Sequence, residues 1–120
     1  MEATLLRAGS TLIVRMKGEL DHHAADRLRA GIDDKLNRGG IQAVLFDFSG
    51  VNFMDSSGVG MLLGRYKIMA EKGGKVLACS LNPRIMRIFT MAGLQKKIPV
   101  FSSREDALAG AEGGCRWQTT

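Results

Sequence analysis

Ile41 to Phe48 reads I-Q-A-V-L-F-D-F, apolar at all but Gln42 and Asp47. A strand apolar on both of its alternating faces needs cover from both sides, as in parallel sheets sandwiched between helices. It is followed closely by F-M-D-S-S-G-V-G, Phe53 to Gly60, which reads as a strand end running into a helix start. A doubly buried strand feeding directly into a helix commits the chain to layered α/β architecture.

The rest of the pattern agrees. Thr11 to Leu20 alternates, with Leu12, Val14 and Met16 on one side and Thr11, Ile13, Arg15 and Lys17 on the other, as a half-buried strand does. Glu2 to Arg7 supplies a preceding edge strand, with Ala8-Gly9-Ser10 as the turn. Asp21 is placed to cap a helix from about His22 to Arg38, whose inward face is Ala25, Leu28, Ile32 and Leu36 and which Gly39-Gly40 ends.

The helix after the D-S-S-G junction extends to about Lys72, with Val59, Leu62, Leu63, Tyr66, Met69 and Ala70 as its core stripe. Lys75 to Ser80 is the next strand. Asn82-Pro83 opens a helix to about Met91, with Ile85, Ile88, Phe89 and Ala92 inward and Gly93 as its stop. Ile98 to Phe101 is a short strand, and Ser102 with Glu105 has the spacing of a capping box for a last helix to about Ala111.

The order β-β-α-β-α-β-α-β-α predicts a single α/β domain over 1–112. Its mixed sheet is mostly parallel, with an antiparallel N-terminal edge hairpin and about four helices. Residues 113–120 lack periodicity and read as a flexible C-terminal tail. Sites in such sheets lie beyond the C-terminal strand ends. Asp21-His22-His23 and Asp55-Ser56-Ser57 are therefore expected to be neighbours.

The 120 residues hold no apolar run of membrane-spanning length, and Met1-Glu2-Ala3-Thr4 does not resemble a secretory leader. A cytoplasmic location is expected, with Cys79 and Cys115 as free thiols. The net charge is +5, but the cations are scattered and aromatics are 6% of the chain. That argues against direct nucleic-acid binding and for an acidic protein partner.

Enzyme motifs break at identifiable positions. Gly58-x-Gly60 begins a dinucleotide loop, yet its third glycine position is Leu63, and no G-K-[ST] phosphate loop occurs. A nucleophile elbow centred on Ser56 would need glycine where Met54 stands. A phospho-receiver needs an acidic pair after its first strand, where this chain has Arg7-Ala8-Gly9. A small hydrolase using Ser56 with His22 or His23, oriented by Asp21 or Asp55, stays open as an alternative.

A serine at a helix N-terminus either caps the helix or is itself modified, and Asp55 is equally placed to cap. Ser56, Gly60, Gly64 and Ile68 follow at i+4, a low stripe flanked by Met61 and Arg65. Interior glycine costs about 0.8–1 kcal/mol relative to alanine. The stripe suits either a closely docking partner or another part of the same domain.

E-L-D-H-H-x-A at Glu19 to Ala25, F-M-D-S-S-G-V-G at Phe53 to Gly60 and G-R-Y-K at Gly64 to Lys67 together resemble the STAS-domain anti-sigma factor antagonists. The sporulation branch acting on the F-type sigma factor is the most similar. N-P-R-I-M-R-I-F-T-M-A-G-L, Asn82 to Leu94, also resembles that family's penultimate helix.

The resemblance implies a STAS fold and a non-enzymatic binding protein phosphorylated on Ser56. The kinase would be the anti-sigma factor, which brings its own ATP; the chain would hold no cofactor or metal, and a serine phosphatase would reset it. Unphosphorylated antagonist would bind the anti-sigma factor and free sigma. A stress-response sigma pathway is the alternative within the same family. The expected partner surface comprises Asp21, His22, Asp55, Ser56, Ser57, Gly58, Gly60, Met61, Gly64 and Arg65.

Overall fold

A computed structural model describes residues 1–112; the expected tail, and Cys115 with it, lie outside the described residues. The elements are β1 (Glu2–Ala8), β2 (Thr11–Leu20), α1 (His22–Asn37), β3 (Ala43–Met54), α2 (Ser56–Glu71), β4 (Lys75–Cys79), α3 (Pro83–Met91), a 3₁₀ turn (Leu94–Lys96), β5 (Val100–Phe101) and α4 (Arg104–Glu112). The sheet order is β1-β2-β3-β4-β5, with β1 antiparallel to β2 and the other pairs parallel. This is the expected mixed sheet with an antiparallel N-terminal edge.

Strand alternation sends side chains to two cores. Val14, Val44, Phe46 and Ala78 meet Leu28, Ile32, Leu62, Met69, Ile85 and Phe89 from α1, α2 and α3. On the opposite face Ile13, Leu45, Leu77 and Cys79 meet Ala107 of α4. That second core corrects the half-buried reading of β2: Thr11 and Ile13 are buried as well as Leu12 and Val14, because the N-terminal end of the strand is covered on both sides.

β3 runs to Met54 instead of ending at Phe48. Its ladder with β2 slips between Arg15 and Lys17 and again between Gly18 and Glu19, each time with an extra residue on β3. Such bulges break the two-residue alternation that marks a strand. Asn52 and Phe53 are consequently exposed in succession between buried Val51 and Met54. Gly18 takes φ +110, and a Cβ there would lie 3.2 Å from the Met1 Cα, so a side chain is disfavoured twice.

Three further boundaries move. β5 is two residues, because Leu94 folds into an unanticipated 3₁₀ turn after Gly93, and the Ile98 side chain is buried in the main core. Ala92 is exposed, since the inward face of α3 is used up by Ile85 and Phe89. The last helix is capped one residue later than expected: the Ser103 hydroxyl accepts from the Asp106 amide at 3.1 Å, while Ser102 Oγ donates to the Asp106 carboxylate.

Candidate functional site

Two helix N-termini converge at the C-terminal ends of β2 and β3. Leu20 pairs with Met54, and the Asp55 amide donates to the Leu20 carbonyl at 3.3 Å. Each strand is followed at once by an aspartate in extended conformation. Asp21 Oδ1 accepts from the Ala24 amide at 3.0 Å and caps α1. Asp55 Oδ1 accepts from the amides of Ser57 at 2.9 Å and Gly58 at 3.3 Å and caps α2. The hydrogen bond from Ala24 is the main reason the Asp21 carboxyl sits below its ordinary pKa.

Asp55 thus performs the capping that Ser56 would otherwise supply. Ser56 is the first residue of α2, is exposed, and its hydroxyl makes no hydrogen bond among the described residues. Asp55→Ala should cost about 1 kcal/mol through the lost cap, read as a lower urea midpoint at unchanged slope.

The histidines do not serve Ser56. His22 Nδ1 lies 3.4 Å from Ser57 Oγ, and its Nε2 lies 3.4 Å from Asp26 Oδ2. Ser57, His22 and Asp26 therefore form a line of nucleophile, base and carboxylate that the sequence reading had drawn differently. Both separations are at the long edge of hydrogen bonding. The His22 and Asp26 side chains are 69% and 47% exposed, so water competes at every link. Asp21 and Asp55, the expected orienting acids, are engaged in capping.

The stripe on α2 divides in two. Gly60 and Gly64 have open space where a Cβ would stand, which removes the reading that another part of this domain, among the described residues, packs on them. Gly58 differs: a Cβ there would lie 2.7 Å from Met54 Cγ and 2.9 Å from Leu20 Cγ, so its lack of a side chain seats α2 on the strand ends.

Met61 and Arg65 were expected to flank the stripe on the surface. Instead they are 4% and 6% exposed. Met61 belongs to the main core, while Ala70, expected inside, is exposed. The inward arc of α2 is rotated toward α1 from the stripe read by periodicity, although Val59, Leu63 and Tyr66 still pack partly against the core. Arg65 Nε sits 3.1 Å from Asp33 Oδ1 of α1, an ion pair whose N–H is not aimed at the oxygen. Burial lowers the Arg65 pKa, with Asp33 opposing that effect. No signal in the sequence of α2 alone reveals this pairing, because its partner is 32 residues upstream.

Cys79 is a free, buried thiol on β4 beside Asp47, and burial raises its pKa to about 11. It is unsuited to thiolate chemistry at neutral pH. Among the described residues no helix is long and apolar enough to cross a membrane.

A family model described as the STAS domain matches residues 2–107. The chain belongs to the STAS domain family. Within it, an anti-sigma F factor antagonist from Paenibacillus polymyxa is 41% identical over 101 residues, 84% of this chain and 86% of that one. The anti-sigma factor antagonist SpoIIAA in its unphosphorylated form superposes with a TM-score of 0.85 at 30% identity, covering 93% of this chain and 97% of that one. SpoIIAA of Bacillus in its phosphorylated form gives 0.74 at 30% identity over 89% and 96%. This STAS chain is an anti-sigma factor antagonist, with the mixed sheet and helix layers of SpoIIAA in both of those states.

Proposed function

We propose that this antagonist is a partner switch with Ser56 as its phosphorylated residue. In the unphosphorylated state it binds an anti-sigma factor of the F type across the α2 stripe and the Asp21–Ser56 junction, releasing a sigma factor of sporulation. The anti-sigma factor, acting as a kinase with its own ATP, then phosphorylates Ser56, and a serine phosphatase restores binding. The chain itself acts in the cytoplasm, without enzymatic activity or cofactor.

The observation that carries this reading is the state of Ser56. Its hydroxyl is exposed and without a hydrogen bond among the described residues, at a helix start already capped by Asp55, beside two glycines with open space above them. A serine kept for capping would be hydrogen-bonded to α2. A serine kept for modification needs an accessible hydroxyl. The relatives' names, and the existence of a phosphorylated SpoIIAA, support the same assignment.

Ser56→Ala should take up no phosphate from the anti-sigma kinase encoded by the same genome, yet bind it with near wild-type affinity. Intact-mass measurement after incubation with kinase and ATP checks this. Undiminished phosphate on the variant would transfer the role to another hydroxyl, with Ser57 the nearest in sequence.

A further inference from the structure

The positive charge of this chain is unevenly placed along the sequence. Eight of the 17 Lys and Arg residues fall between Arg65 and Lys97, a segment holding one of the 12 acidic residues. Among the described residues, the five ion pairs employ His22, Arg29, Arg38, Arg65 and Arg104. Arg84 and Arg87 on α3 enter none of them, and both are exposed. At i, i+3 and i+7, Arg84, Arg87 and Met91 share one outward face of α3. Met91 is 80% exposed, the largest exposure of any large apolar side chain described.

Arg84 is also misplaced for stability. It is the second residue of α3, where the helix dipole favours an acid, and the first turn holds none. A cation there costs about 0.3–1 kcal/mol. Arg84 further lines a cleft of about 500 Å³ with Glu19, Asp21, Asn52 and Phe53. Arg84, at the near end of the α3 strip, therefore shares a cleft with Asp21, the cap of α1. Phe53, 43% exposed two residues before Asp55, lines the same cleft.

We infer that the outer face of α3, Arg84–Arg87–Met91, is a second docking strip that receives an acidic segment of the same protein partner that binds at Ser56. The inference rests on the partner-switch reading for the identity of that partner. Unpaired cations on an exposed rim accelerate association with an oppositely charged surface and orient it. Met91 offers an adaptable apolar anchor at the far end of the strip. A strip away from Ser56 would hold the anti-sigma factor in register while the serine itself remains open to its kinase site.

The test is titration of the full chain against the purified anti-sigma factor of the same genome, at about 50 and about 300 mM salt. The double variant R84E/R87E should bind at least about tenfold more weakly at low salt and show a flatter salt dependence. Its melting temperature should stay close to wild type, because the gain from Glu in the first turn of α3 is offset by its new carboxylate neighbours Glu19 and Asp21. The control K35E/K75E changes the net charge equally, at the end of α1 and the start of β4, and should bind almost as wild type.

Wild-type affinity of R84E/R87E overturns the strip. An equal loss in the control also overturns it, in favour of steering by net charge alone. If R84E/R87E keeps its affinity for the anti-sigma factor but loses binding to vesicles containing phosphatidylglycerol, the strip belongs to a membrane surface and the inference falls. Wild-type affinity of Ser56→Asp in the same titrations would overturn the reading of the serine instead, and leaves the strip to be judged by its own variant.

Discussion

Ser56→Asp should bind the anti-sigma factor several-hundred-fold more weakly than wild type while keeping its fold. The geometry explains both halves. A helix N-terminus ordinarily neutralises an anion with its free amides. Here the amides of Ser57 and Gly58 are taken by the Asp55 carboxylate, and that of Asp55 by the Leu20 carbonyl. A negative charge at position 56 finds these amides already taken and has acidic neighbours in sequence and across the junction, Asp55 and Asp21. It is therefore presented to the partner. A loss of about 3–4 kcal/mol at about 1.4 kcal/mol per decade corresponds to the stated fold-change. Ser56→Asn adds similar bulk without charge and should lose much less. Calorimetry on both separates repulsion from crowding, and equal affinity of Ser56→Asp and wild type would remove charge as the mechanism.

The second large effect is a contrast between two glycines one half-turn apart. Gly60→Leu should leave the domain folded, and more stable by up to about 1 kcal/mol, because glycine is a poor helix former and the new side chain meets open space. Binding should fall by about a hundredfold or more, since a branched side chain would then stand on the stripe proposed to receive the partner. Gly58→Ala should do the reverse. Its methyl group would press on Met54 and Leu20, an overpacking cost of about 1–3 kcal/mol that exceeds the gain in helix propensity. Urea unfolding and titration on both variants provide the check. Wild-type affinity in Gly60→Leu would take the stripe out of the interface.

Both predictions depend on which way α2 faces, and there sequence and structure part. The D-S-S-G junction, the caps at Asp21, Asp55 and Asn82, and the stops at Gly39 and Gly93 are legible because they are local. Each depends on hydrogen bonds or dihedral angles within a few residues of itself. The proximity of Asp21 to Ser56 was also legible, through the rule for strand ends, and Leu20 pairing with Met54 realises it.

The orientation of Met61 and Arg65 was not legible in the same way. α2 is apolar around much of its circumference, so periodicity gives a broad arc and not a direction. The choice is made by α1, whose Asp33 meets Arg65. The strand beyond Phe48 was hidden by bulges that exist only against β2. His22 meets Ser57 because α1 and α2 start from the paired ends of adjacent strands.

What the sequence determined by itself is the order of elements, their caps, the family and the serine at the junction, all carried by short-range chemistry. What only the tertiary structure decided is which side chains are spent on the fold and which remain free. Asp55 is used as a cap, Met61 and Arg65 are used in packing, Ser56, Gly60 and the arginines of α3 are left exposed, and Gly64 keeps open space where a side chain would stand. That division depends on contacts between residues distant in the chain, and local patterns do not encode it.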